Sequence, residues 1–134
     1  MSTPNVPVTP DTQQWWDATR ERRLTVQRCG SCGNTQLYPR PLCVACHSED
    51  VALVDAVGTG VVYSFSIVHR SPDPEYFYPP YVVALVDLDE GARMTTRLID
   101  VDEGDVVCGL PVAVAWEPLD DGRHLPLFTV RDRR

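Results

Sequence analysis

Cys29-Gly-Ser-Cys32 and Cys43-Val-Ala-Cys46 place four of the chain's five cysteines within eighteen positions. Two Cys-x-x-Cys knuckles joined by a short loop are the pattern of a tetrahedral metal site. Each knuckle brings two thiolates to one side of the ion, and the loop folds one pair onto the other. A closed shell of four sulfurs leaves no position open for water or substrate, so a metal here is structural. Zn²⁺ is the expected ion, with Cys29, Cys32, Cys43 and Cys46 as ligands; iron in a rubredoxin-like site is the alternative that four sulfurs also allow. Residues 24–50 need the ion, because they contain too few large apolar side chains to hold a fold unaided. With four sulfurs present, His47 reads as a surface histidine.

The remainder has the composition of one ordinary domain: 134 residues, 43% hydrophobic, 23% charged, with twelve prolines that favour loops and strands over long helices. No run reaches the roughly 18 apolar residues of a membrane span. The start, Met-Ser-Thr-Pro-Asn-Val-Pro, lacks the basic segment and apolar core of a signal peptide. The expected location is therefore cytoplasmic, where clustered thiols stay reduced and bind metal. The net charge of −7 is unevenly spread: residues 1–50 hold five arginines against five acids, and residues 51–134 hold seven against fourteen. There is no lysine. A chain that tracks phosphates should carry a basic stripe, so this distribution argues against nucleic acid.

Thr9-Pro10-Asp11 predicts a helix start, with a capping hydroxyl, proline in the first turn and an acid beside it. The helix is expected to run to about Arg23 and to bury Trp15, Trp16 or both, since a short isolated helix is marginal in water. Leu24–Arg28 reads as a strand leading into the first knuckle, and Val51–Val57 as a further strand before Gly58-Thr59-Gly60. Val61–His69 alternates with Val61, Tyr63, Phe65 and Ile67 on one face. Tyr81–Asp89 and Ala92–Ile99 flank a Glu90-Gly91 turn, and Pro111–Glu117 and Arg123–Val130 flank Asp121-Gly122. The fold class expected is mainly β: an N-terminal extension and helix over 1–23, a rubredoxin-like zinc ribbon over 24–50, and a five-stranded OB-fold barrel over 51–134.

Few residues present themselves for catalysis. Cys108, alone among small apolar residues, reads as a buried structural cysteine. His69, His124 and the acids from Asp100 to Asp105 have no spacing that requires an acid–base set, and strand-end and loop positions account for them. There is no nucleophile signature, phosphate loop or dinucleotide fingerprint. The loop His69–Pro80 carries three consecutive aromatics, Tyr76, Phe77 and Tyr78, on a proline-stiffened connection; they pack back on the barrel or meet a partner. Arg70, Arg93 and Arg97, near that loop and the central hairpin, are candidates for phosphate or carboxylate contacts.

The chain resembles the acyl-CoA-associated zinc-ribbon/OB-fold proteins, first catalogued as a domain of unknown function. The resemblance rests on Trp15-Trp16, on Val26-Gln27-Arg28-Cys29-Gly30-Ser31-Cys32-Gly33, on Pro39-Arg40 before Cys43, and on Gly58-Thr59-Gly60-Val61-Val62-Tyr63-Ser64-Phe65. It continues through Tyr81–Gly91, Gly109-Leu110-Pro111-Val112 and Leu125-Pro126-Leu127-Phe128. It implies a non-catalytic accessory subunit that accompanies a thiolase-superfamily enzyme: a thiolase, a synthase or a lipid-transfer-protein-like aldolase. That enzyme would make or break a C–C bond of an acyl-CoA, in lipid or steroid side-chain degradation among other settings. A hot-dog-class hydratase, where one takes part, would be a separate chain, or these residues are a domain excised from a longer protein. Trp15, Trp16 and the loop aromatics join the arginines as candidate partner-binding residues, with no catalytic residue carried over. The alternative is a single-stranded nucleic-acid binder, a role that ribbons and OB folds also serve.

Overall fold

A short helix, a three-stranded sheet and a closed barrel follow one another along the chain, in a computed structural model that describes residues 6–71 and 78–131. Helix α1 (Gln13–Thr19) stops short of Arg23. Residues 20–22 continue as turns, and Arg22 takes a left-handed φ of 56° that swings the chain into the first strand. The start of α1 also falls later than Thr9-Pro10-Asp11 predicts: residues 10–12 form a turn ahead of the helix, in which Thr12 N–H donates to the Thr9 carbonyl at 3.0 Å and Thr9 N–H to Thr12 Oγ1 at 3.1 Å. One tryptophan is buried as expected: Trp15 is 3% exposed and donates Nε1–H to the Thr25 carbonyl at 2.9 Å. Trp16 lies edge-on to it, with centroids 4.7 Å apart, and is half-buried.

Strands β1 (Thr25–Cys29), β2 (Thr35–Gln36) and β3 (Val51–Asp55) form an antiparallel sheet in the order β2-β1-β3. β3 therefore pairs with the strand that delivers the first knuckle, from Thr25↔Asp55 to Cys29↔Val51, and takes no part in the barrel. The chain leaves this sheet through Gly58, whose φ of 92° suits a glycine. Gly60 then lies so close to β5, defined below, that a side chain there would run into the Asp87 carbonyl.

The barrel is built from β4 (Thr59–Val68), β5 (Tyr81–Leu88), β6 (Arg93–Leu98), β7 (Pro111–Pro118) and β8 (His124–Val130). Their order is β4-β5-β6-β8-β7, closed by β4 against β7, with β6 and β8 meeting in parallel at Leu98↔Phe128. This is the five-stranded OB-type barrel the sequence predicts. Strict alternation on β5 buries Val82, Ala84, Val86 and Leu88, and β6 adds Met94, Thr96 and Leu98. Phe128, fully buried, fills the centre.

β4 departs from the expected alternation. Its register shifts between Val62 and Ser64, so Val61 and Tyr63 point outward at 41% and 51% exposure while Val62 is buried. Beyond the bulge Phe65 and Ile67 pack on the core. One inserted residue reverses the faces of everything on one side of it. Cys108 likewise departs from expectation: it lies exposed in the turn before β7. Among the described residues no helix is long and apolar enough to cross a membrane.

Candidate functional site

The four cysteines come together as their spacing requires. The sulfurs of Cys29, Cys32, Cys43 and Cys46 all lie within 4.8 Å of one another, with Cys29–Cys46 and Cys32–Cys43 at 3.6 Å. A tetrahedron of sulfurs about 2.3 Å from zinc has edges of about 3.8 Å, so the cluster has the dimensions of a zinc site. Cys29 and Cys43 are buried, and Cys32 and Cys46 are exposed.

The two knuckles are built alike. Cys29 N–H donates to the Asn34 carbonyl and Cys43 N–H to the Ser48 carbonyl, each at 2.9 Å. Gly33 and His47 return N–H donors to the Cys29 and Cys43 carbonyls, again at 2.9 Å, and both sit at positive φ. The inner sulfur of each knuckle accepts backbone donors: Ser31 N–H reaches Cys29 Sγ and Ala45 N–H reaches Cys43 Sγ, both at 3.3 Å.

These donors stabilise thiolate. Cys43 is lowered to about 6, chiefly by the backbone N–H of Cys46 and then that of Ala45. Cys29 is lowered as well, chiefly by the N–H of Cys32. Cys46 moves the other way, to about 12: the Ser48 N–H favours its thiolate, but the sulfurs of Cys32 and then Cys29 outweigh that donor. Four sulfurs this close do not share four negative charges without a cation among them. The donor set fits Zn²⁺ held structurally, with no open coordination position. His47 is exposed beside it and is not needed as a ligand.

Two glutamines that sequence reasoning passed over hold the loop between the knuckles. Gln27 and Gln36, each 7% exposed, face one another across β1 and β2. Gln27 accepts the Arg40 N–H at 3.0 Å and donates to the Arg40 carbonyl at 2.8 Å, as a neighbouring strand would. Gln36 donates to Gln27 and to the Leu42 carbonyl, and accepts the Val44 N–H at 2.9 Å. The hint in the sequence was a long amide inside β1, two residues before a ligand.

Helix and ribbon both lie on the barrel. Tyr38 OH donates to the Thr95 carbonyl on β6 at 3.1 Å, and Thr35 Oγ1 to the Glu90 carbonyl at 2.7 Å. α1 meets the β7–β8 turn: Arg20 donates to the Asp121 carbonyl at 2.6 Å, His124 Nδ1 lies 2.8 Å from the Thr19 carbonyl, and Arg123 stacks over Trp16 at 5.0 Å. Arg123, 7% exposed, pairs with Asp121 at 2.7 Å, and Asp121 is held below the usual carboxylate range chiefly by the Arg123 N–H. OB folds bind ligands on the face of their second and third strands and through the loops at its ends. Here helix and ribbon cover part of that surface.

The remaining candidates are dispersed. Trp15 is enclosed and offers no surface to a partner, whereas Trp16 is partly open. Arg93 lies 3.5 Å over the Tyr63 ring and pairs with Asp87 at 2.6 Å. Arg97, largely buried, lies 3.7 Å from Glu117 and borders a recess of about 260 Å³ with Tyr81, Val83, Leu125 and Leu127. Both β6 arginines thus face carboxylates. Arg70 is exposed just past β4, and Tyr78 is 80% exposed. Tyr76 and Phe77 lie outside the described residues.

Known proteins share this arrangement. Residues 16–52 match the family described as ChsH2, rubredoxin-like zinc ribbon domain, and residues 53–117 match the ChsH2, C-terminal OB-fold domain. A probable enoyl-CoA hydratase alpha subunit of Thermomonospora curvata is 40% identical over 93% of this chain, which spans 39% of that protein's length. A DUF35 domain-containing scaffold protein of Methanocaldococcus jannaschii is 32% identical, covering 80% of each chain. Among solved structures, a chain of an Ltp2-ChsH2(DUF35) aldolase superposes with a TM-score of 0.83 at 38% identity, covering 94% of this chain and 98% of that one.

Proposed function

Because the chain belongs to the ChsH2-type (DUF35) zinc-ribbon/OB-fold family, we propose that it is a non-catalytic accessory subunit of an enzyme that makes or breaks a C–C bond of an acyl-CoA. The observation that carries this reading is the match over 98% of a chain found in an Ltp2-ChsH2(DUF35) aldolase. The partner is a thiolase-superfamily enzyme: a lipid-transfer-protein-like aldolase first, a thiolase or synthase next. It supplies nucleophile and base, and this chain holds it in its active form. Steroid side-chain or other lipid degradation, a reducing cytoplasm and an associated hot-dog-class hydratase belong to the same reading.

Physical features of the chain support the division of labour. The metal shell is closed by four sulfurs, so its ion serves architecture. The arginines best placed for a phosphate, Arg93 and Arg97, lie against Asp87 and Glu117. The same pairing, with the net charge of −7 and the covered barrel face, weighs against a nucleic-acid strand.

Co-expression with the Ltp2 chain tests the reading. The two should co-purify, and aldol cleavage of an acyl-CoA should require both. A partner fully stable and active by itself would overturn the accessory role.

A further inference from the structure

We infer that the second zinc knuckle is the anchor by which this chain docks on its partner enzyme, its side chains entering an apolar recess fringed by carboxylates. The inference rests on the accessory-subunit reading and names the surface that carries it out.

The two knuckles supply an internal control. They make the same backbone bonds at the same 2.9 Å, hold one buried and one exposed cysteine each, and end in a residue at positive φ. The first knuckle meets these demands with Gly30, Ser31, Gly33 and Asn34. The second places Val44, Ala45, His47 and Ser48 at the matching positions and Pro41 and Leu42 just before its first cysteine; Pro41, Leu42, Val44 and Ala45 are all exposed, with Leu42 at 40% and Val44 at 52%. Metal binding therefore does not require apolar side chains at the tip, and their exposure to water is unfavourable. Pro41, Leu42 and Val44, with Arg40 and His47, border an open recess of about 560 Å³.

The tip is also held in place. Gln27 and Gln36 draw the polar groups of Arg40, Leu42 and Val44 inward, which directs the side chains of Leu42 and Val44 out. Cys43, between them, is fully buried and fixed by the metal cluster. A surface fixed before binding loses little entropy when a partner closes over it.

Charge selects the occupant. Arg40, exposed at the rim, has no ion pair among the described residues, whereas Arg93, Arg97 and Arg123 each lie against an acid. The chain's acidic excess lies entirely in residues 51–134. An apolar, locally cationic tip on an otherwise acidic chain fits a protein recess with carboxylates at its edge.

The test uses the zinc-loaded full chain and the Ltp2 chain, with affinity measured by titration. The double variant Leu42→Ser/Val44→Ser should keep its zinc and its thermal midpoint yet bind roughly tenfold or more weakly. Arg40→Glu should weaken binding further, and more at low than at high salt. Val107→Ser, a change at another exposed apolar residue (54%), should leave affinity unaltered. If the wild-type chain binds and the double variant binds equally well, the inference is wrong and the accessory role stands. If the wild-type chain does not bind Ltp2 at all, both fall together.

Discussion

Around the metal, residues 25–50 bury two cysteines, two glutamines, Thr25 and Pro39, while Val26 turns away into the core shared with the barrel. The barrel buries Val62, Val82, Val86, Leu88, Met94, Leu98, Val112 and Phe128 around one centre. One region closes with sulfur and amide groups, the other with apolar surface. Each should therefore respond to a different perturbation, and the same chain can report both.

The largest effect belongs to the metal. Structural zinc contributes about 10–16 kcal/mol of apparent binding free energy in isolated zinc-finger peptides, and that energy is folding energy. Chelation, or Cys43→Ser, should unfold residues 24–50 and leave the barrel protected; hydrogen exchange resolves the two. If the barrel amides lose protection together with the ribbon's, the regions are one cooperative unit. Acid should act in the same direction. Bound sulfurs are thiolates with folded pKa values below those of free thiols, so their stabilisation is full at higher pH and lost as pH falls through the folded values. Cys43 is lowered to about 6, chiefly by the backbone N–H of Cys46. Zinc release followed with a colorimetric chelator should rise on acidification.

The reverse experiment is Phe128→Ala. Removing a fully buried aromatic should cost the barrel about 3–5 kcal/mol. Zinc stoichiometry at neutral pH should stay at one per chain. Loss of zinc in this variant would mean that the ribbon leans on the barrel more than its own bonds suggest.

Gln36→Leu probes the ribbon without touching a ligand. It leaves the Val44 N–H and the Leu42 carbonyl without their side-chain partner, a cost of about 1–3 kcal/mol. The measurable consequence is faster zinc exchange with the thermal midpoint of the barrel unchanged. Equal exchange rates in variant and wild type would show that the sulfurs alone fix the loop.

The metal ligands and the five barrel strands were legible in the sequence because both are written in spacing: cysteine pairs in one case, period-two alternation and turn residues in the other. What escaped has a common physical origin. The bulge at Val62/Ser64 inserts one residue, and a period-two reading carried through it assigns Val61 and Tyr63 to the wrong face. Arg20, Arg22 and Arg23 look like a helical last turn, which extends the expected α1 beyond its end at Thr19. In the fold, Arg20 reaches Asp121 and Arg23 pairs with Asp55 across the sheet at 2.8 Å. Residue type alone argues for a buried Cys108, whereas its position in a turn puts it outside. Gln27 and Gln36 needed knowledge of the strand register before either could be recognised as a partner for the Arg40–Val44 backbone.

The joint between the two regions gives the next smaller effect. Trp15 is packed in the shared core and bonds the Thr25 carbonyl, so Trp15→Phe removes one buried hydrogen bond while keeping an aromatic side chain. A loss of about 1 kcal/mol is expected, seen equally at ribbon and barrel amides in hydrogen exchange. A loss confined to one region would place the helix on that region alone.

Arg93 should matter least, and for a reason that bears on its proposed role. Its guanidinium stacks on Tyr63 and pairs with Asp87, all on the solvent side of the barrel. Exposed pairs contribute about 0–1 kcal/mol and cation–π contacts at exposed sites about 0.5–1 kcal/mol. Arg93→Met keeps much of the stacking volume and removes the charge, so stability should fall only slightly, by less than in any variant above. The deficit should shrink further in high salt, checked by denaturant unfolding at two ionic strengths. A larger loss would mean that the outward face formed by the β4 bulge supports the barrel. A loss of this size with unchanged partner affinity would place the docking chemistry away from this face and leave the ribbon tip to carry it.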